Sequence, residues 1–185
     1  MDVFIPPDSQ RRLVHLSRQT LNDFVRGIER AGEEITDPHL QCRAYGAFVS
    51  LHKQEELRGC IGNCAPDAAL YQMVIAMTQA AASRDSRVAP ISADELDDIR
   101  IDITVLSALI KVSDPLSLEI GKHGLYVEQE GRRGVLLPQV AAQYRWDMKT
   151  FLEQTCAKAG LRKHAWKEAA TKVSTFTALI IEEEG

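Results

Sequence analysis

Seven consecutive residues, Arg58-Gly59-Cys60-Ile61-Gly62-Asn63-Cys64, gather an arginine, two glycines and two cysteines. Four kinds of arrangement use such a run. In the first, Cys60 is a nucleophile: a nearby guanidinium favours the thiolate, and backbone amides beside the small glycines stabilise an oxyanion. That chemistry needs a base, and His123, between Gly121 and Gly124, is the candidate by local context. In the second, Cys60 and Cys64 ligate a metal. Zinc sites ordinarily bring a second ligand pair at matched spacing, and neither Cys42, Cys156 nor the five scattered histidines supply one, so no metal is expected. In the third, Arg58, Gly59 and Gly62 cradle a phosphate ahead of a helix, although the spacing fits neither a P-loop nor a dinucleotide fingerprint. In the fourth, the glycines only permit close packing or a bulge in a strand. On residue chemistry alone this last reading is the simplest.

Three further positions join the candidates. Asp85 and Arg87, in "SRDSRVAP", form either a polar pair lining a cleft or a surface ion pair of little worth. Gln139, after Pro138, is placed at the end of a hairpin strand, where its amide serves a ligand or the loop backbone. Trp146 and Trp166 read as core anchors, and Cys156 falls on the apolar face of a helix.

Positioning these side chains requires a folded domain, and the 185 residues suffice for one sizeable core or two small lobes. A net charge of -4 argues against nucleic-acid binding, which needs a basic face. The start, "MDVFIPPDSQRR", lacks the continuous apolar run and basic lead-in of a signal peptide. The most apolar stretch, residues 68–82, is too short to span a bilayer. A cytoplasmic location with reduced thiols is therefore expected, with no membrane role.

Apolar residues at helical spacing predict an amphipathic helix over 10–31, with Ser9 as N-cap and Gly32 as stop. "AYGAFVSLHKQEELRGCIG" predicts a hairpin turning at 53–56, whose second strand carries the motif. A helix is expected from Pro66 to Ser83, then an acidic helical turn in "ADELDDI". "IRIDITVLSAL" alternates, with Ile101, Ile103 and Val105 opposite Asp102 and Thr104. A second hairpin turns around Gly131, a helix capped by Asp147 runs to Ala159, and "TKVSTFTALIIEE" reads as one final strand. Strands in hairpins without regular βα repeats predict an α+β class with antiparallel or mixed sheets and flanking helices.

These segments together resemble the AMMECR domain family, whose bacterial and archaeal members are called AmmeMemoRadiSam system protein A. The likeness rests on "LRGCIG" (57–62), "GAFVSL" (46–51), "ELDDIRIDITVLS" (95–107), "GKHGLYV" (121–127), "GVLLPQVA" (134–141), "FLEQTCAKAGL" (151–161) and Trp166, in that family's order. One departure is visible: the family's Asp-Pro-Arg-Phe loop is Asp85-Ser86-Arg87-Val88 here. The family motif does not require Cys64. The resemblance implies one domain over 1–185 with two intimately packed subdomains, the larger from both chain ends and the smaller inserted, and a cleft between them. It implies that the motif residues gather near that cleft; from the residue chemistry above, Cys60 and His123 are expected there as catalytic residues, with Arg58, Gly59, Gly62, Asp85, Arg87 and Gln139 binding a ligand, which Arg58 suggests is an anionic small molecule. It also implies association with a Memo-like protein and a radical-SAM protein, which would bring the cofactor chemistry; this chain is expected to hold no cofactor of its own. The resemblance prescribes no reaction, and a non-catalytic module docking those partners is the alternative.

Overall fold

The computed structural model describes residues 2–29 and 31–184. The chain forms two compact units. One comprises residues 3–106 with the C-terminal stretch from Leu179, and the other runs from Ser107 to Ala178. The fold is α+β, with one four-stranded sheet in each unit.

The first unit begins with α1 (Pro7–Val25), where Pro7 occupies a first-turn position whose missing N–H costs nothing. The helix ends six residues earlier than its periodicity suggests. Gly27 adopts φ +65°, and the Gly27 and Ile28 N–H groups donate back to Phe24 and Asp23 carbonyls. This paired return is a Schellman closure, and it stops the helix at a glycine before Gly32 is reached. Ser9 is consequently inside the helix and not at its cap, and Arg30 lies outside the described residues.

Strands β1 (Gly46–Lys53), β2 (Glu56–Asn63), β3 (Ile99–Leu106) and β8 (Ala178–Glu182) form the sheet in the order β2-β1-β3-β8, with β1 antiparallel to both neighbours. The hairpin turns at Gln54 and Glu55, as its polar residues suggest. Ala47, Val49, Leu51, Ile101, Ile103 and Val105 face one side and pack with Leu13, Leu16 and Leu21 of α1 and the apolar stripe of α2 (Leu70–Ser83). Helix α2 starts at Leu70, four residues after Pro66. The Leu70 and Tyr71 N–H groups there find partners in the Cys42 and Leu40 carbonyls, which satisfies the first turn. A buried Ser17–Thr78 hydroxyl pair, 2.7 Å apart, links the two helices.

In the second unit, β4 (Ile110–Lys111), β5 (Gly124–Gln129), β6 (Arg132–Leu136) and β7 (Lys172–Phe176) make an antiparallel sheet ordered β4-β7-β5-β6. Short helix α3 (Pro138–Gln143) follows β6, so Gln139 lies in the first turn of a helix and not on a strand end. Helix α4 (Met148–Lys158) is capped by Asp147, which accepts the Thr150 N–H at 2.7 Å, and is followed by left-handed Gly160. Its Phe151, Leu152 and fully buried Cys156 pack with Leu125, Val127 and Val173, against which Trp146 and Trp166 also pack.

The single C-terminal strand expected over 171–183 is two strands. The chain leaves one sheet at Phe176 and joins the other at Ala178. Thr177 between them makes no ladder; it exchanges hydrogen bonds with Ser107, its carbonyl accepting the Ser107 N–H and its own N–H donating to Ser107 Oγ, each at 3.0 Å.

Candidate functional site: an edge strand gripped by a carboxylate and a guanidinium

Strand β2 is the outer strand of its sheet, hydrogen-bonded only to β1. An outer strand leaves alternate N–H and C=O groups without ladder partners. At Cys60 these groups are met by side chains. The Cys60 N–H donates to Asp85 Oδ2 at 2.9 Å, and Arg87 Nη2 donates to the Cys60 carbonyl at 3.3 Å. Asp85 and Arg87 thus stand in for one residue of a missing neighbouring strand.

Because the Cys60 backbone points outward, Ser50, opposite it on β1, forms the non-hydrogen-bonded kind of antiparallel pair, in which side chains lie closest. Ser50 Oγ accordingly donates to Cys60 Sγ at 3.2 Å. Cys60 is a half-buried free thiol.

Asp85 is almost completely buried, its side chain 4% exposed, yet fully partnered. Oδ1 accepts from the Arg87 N–H at 3.1 Å and Arg87 Nε at 2.9 Å, and Oδ2 accepts from Cys60 N and from Arg87 Nη2 at 2.6 Å. The Arg87 guanidinium, with help from the two backbone donors, holds the Asp85 carboxyl well below its usual range against the opposing cost of burial. Asp85 in turn pushes Arg87 further up, and the Cys60 side chain adds to that effect. The outer part of Arg87 remains open: the side chain is 61% exposed, and Nη1 has no hydrogen-bond partner among the described residues.

Arg58 is not open. A register shift in the hairpin leaves it unpaired between Gly59, which faces Leu51, and Leu57, which faces His52. Its Nε and Nη2 form a two-pronged pair with Glu95, both at 2.9 Å, and Nη1 donates to the Ala89 carbonyl at 3.3 Å. Both side chains are 16% exposed. Glu95 also accepts the Ser92 N–H and hydroxyl at 3.2 and 3.0 Å, closing a capping box at the turn Ala93–Asp98. Arg58 first, and then Ser92, lower the Glu95 carboxyl from 4.5 to about 2. The carboxylate partner of Arg58 is thus Glu95, while Asp85 pairs with Arg87 as their shared loop suggests.

Both motif glycines have protein where a side chain would go. A Cβ on Gly59 would sit 2.1 Å from the Ala81 carbonyl oxygen, because α2 lies directly on the strand. One on Gly62 would sit 2.1 Å from the ring of Phe48, its cross-strand neighbour. These contacts supply the packing role that the bland sequence reading describes.

His123 and Gln139 belong to the other unit. His123 precedes β5, where its Nδ1 accepts the Glu119 N–H at 3.0 Å and its own N–H donates to the Glu119 carbonyl. Among the described residues, no three His, Cys, Asp or Glu side chains gather as metal ligands, and no helix is long and apolar enough to cross a membrane.

Sequence reasoning missed Ser50, Glu95 and a third feature, the pair of His52 Nε2 with Asp102 Oδ2 at 3.2 Å. Ser50 and His52 alternate with Leu51 on β1, and Asp102 faces Ser50 on β3. Burial pushes the Asp102 carboxyl up, an effect partly offset by His52 and Arg100. The Ser92-x-x-Glu95 spacing was a readable signal for Glu95; the Ser50 and His52 contacts depend on register, for which the letters give no direct signal.

An α+β protein whose outer strand carries a gripped, half-buried thiol is thereby defined. The AMMECR1 family model matches residues 14–181, and the chain belongs to that family. It is 37% identical over 186 residues to a protein of Methanothermobacter thermautotrophicus, covering 96% of each chain. It is 39% identical to a protein of Thermococcus onnurineus, covering 93% of this chain and 89% of that one. The crystal structure of an uncharacterised protein from Pyrococcus horikoshii is similar at a TM-score of 0.89 and 34% identity, covering 97% of this chain and 94% of that one.

Proposed function

We propose that this AMMECR1-family protein carries an enzymatic small-molecule site centred on the Cys60 thiol, at the outer edge of β2. One observation carries the reading. The Cys60 backbone is held at the outer edge of β2, its N–H by Asp85 and its carbonyl by Arg87, while its thiol receives a hydroxyl hydrogen bond from Ser50. A hydroxyl donor on the sulfur of a residue whose backbone is fixed, with a guanidinium at that residue's carbonyl, is an arrangement a nucleophilic thiol can use. A merely packed cysteine, such as Cys156 at 0% exposure, has apolar neighbours instead.

Peptide-resolved alkylation by iodoacetamide tests this. Cys60 is expected to be labelled faster than Cys42 and Cys64, which are also half-buried. Labelling slower than both would overturn the reading. A role alongside a Memo-like protein and a radical-SAM protein also belongs to this proposal, supported by the likeness of "LRGCIG" and its companion segments to AmmeMemoRadiSam system protein A. Retention of either purified partner at micromolar concentration tests it. Retention of neither would remove the partnership and leave the thiol site standing.

A further inference from the structure

The proposed thiol site identifies a reactive atom but no substrate class. Arg58 was the natural anion receptor by sequence, but each of its three nitrogens is spent on Glu95 or Ala89. Arg87 is different. Its inner edge is fixed by Asp85 and the Cys60 carbonyl, while its outer edge faces outward with Nη1 unpaired among the described residues.

The electrostatics of the pair support an anion at that outer edge. A carboxylate beside an arginine would ordinarily compete with a ligand for the guanidinium. Here the Asp85 oxygens already accept four hydrogen bonds, two of them from backbone N–H groups, and the carboxylate is buried. Its charge is thus shared between the backbone and the guanidinium, and it is shielded from the exposed side. Asp85 acts as a positioning residue, fixing the plane of a permanently charged fork. A pre-fixed guanidinium gives up little side-chain entropy on meeting an oxyanion, and charge-assisted hydrogen bonds of this kind are among the stronger ones. The same guanidinium donates to the carbonyl of the residue that carries the thiol, and the Cys60 side chain is near enough to act on the charge of Arg87.

We infer that the Cys60 site takes a small molecule bearing a carboxylate or phosphate, which the outer edge of Arg87 holds while an adjacent electrophilic centre of that molecule meets Cys60 Sγ. This inference rests on the thiol reading above, and the experiment separates the two. The probes are iodoacetate, which carries a carboxylate, and neutral iodoacetamide. In both reactions a C–S bond forms and the C–I bond breaks. Iodide leaves with the electron pair, and the thiol proton passes to buffer. The rates at Cys60 are read by peptide mass spectrometry, and the iodoacetate-to-iodoacetamide ratio is compared with that of glutathione in the same buffer.

The expected ratio at Cys60 exceeds that of glutathione roughly tenfold, the scale of one charge-assisted hydrogen bond. It falls toward the glutathione value in Arg87→Gln, falls part of the way in Arg87→Lys, which keeps the charge but not the fork, and declines with rising salt in the unmodified protein. Protection against iodoacetate by added acetate or by inorganic phosphate tells which oxyanion is preferred. If Cys60 reacts quickly with iodoacetamide but the ratio matches glutathione, the anion inference is overturned and the thiol site stands. If Cys60 resists both reagents, both readings fall together. Should Arg87→Gln fail to fold, the salt dependence and Arg87→Lys still decide: a ratio insensitive to salt in the unmodified protein overturns the inference.

Discussion

Arg58 stands two residues before Cys60 on β2 and Arg87 donates to the Cys60 carbonyl, yet the two arginines do opposite work. Arg58 is a structural residue: its guanidinium and Glu95 are mostly out of water and fully matched. Removing one member of such a pair strands the other charge, which costs several kcal/mol when burial is complete. For this partly buried pair, Arg58→Ala is expected to lower stability by about 2–3 kcal/mol. Urea unfolding measures it; a loss under about 0.5 kcal/mol, the scatter of surface changes, would contradict the assignment. The pair also sets a pH dependence. Glu95 is lowered from 4.5 to about 2 in the folded protein, so its stabilisation is complete above about 4.5 and is lost as pH falls toward 2. Asp85, also lowered, acts in the same direction. Urea midpoints recorded from pH 5 to pH 2 should therefore fall, and Glu95→Gln should flatten that fall. A parallel pH profile in the variant would contradict the role given to Glu95.

At the scale of elements, the motif strand is shaped as much by what packs on it as by what it presents. Gly59 admits the backbone of α2, and backbone does not yield easily. Gly62 admits a Phe48 ring, which can turn aside. Gly59→Ala is therefore expected to cost about 2–3 kcal/mol, the overpacking range, and Gly62→Ala less. In a Phe48→Ala background the Gly62→Ala cost should shrink, a coupling of about 1 kcal/mol that a double-mutant cycle reads. Equal costs in both backgrounds would mean the ring is not what the glycine accommodates.

The element scale also separates what could be read from the letters. The two hairpins, the alternation of β3 and the Asp147 cap were legible because period-two patterning and local cap chemistry are properties of adjacent residues. The end of α1 was misjudged because apolar residues at helical spacing, up to Ile28, continue past a glycine that closes the helix. The final strand was read as one because its β-branched run is continuous, whereas which sheet each half joins depends on distant strands. The site divides likewise: Cys60, Asp85 and Arg87 were nominated as residue types and do converge. The partner of Arg58 and the Ser50 contact follow from tertiary register, which composition does not encode.

At the scale of the whole chain, the two ends complete one unit. Arg18 of α1 binds Glu183 beyond β8 through Nε at 2.8 Å and through Nη2, and it also donates to the Leu96 and Ile99 carbonyls. Glu183 further accepts the Ile101 N–H at 3.1 Å, and Ile181 is buried in the core. Deleting the residues from Leu179 onward would strip β3 of a neighbour and leave Arg18 without its carboxylate. Such a chain is expected to lose cooperative unfolding of the unit, seen as protease sensitivity spreading into α1 and β3. Protection there equal to that of the intact protein would contradict this account.

All three scales converge on a held, partnered thiol at the edge of a sheet, and one comparison tests that claim most directly. The rate of Cys60 alkylation by iodoacetamide is measured in the folded protein and again in the same chain unfolded in urea, at one pH near neutrality. Half-burial alone must slow the folded thiol, since access is reduced. A site built for thiol chemistry should instead react faster when folded, by roughly tenfold or more. A folded rate below the unfolded one would make Cys60 a packed cysteine and remove the functional site proposed here.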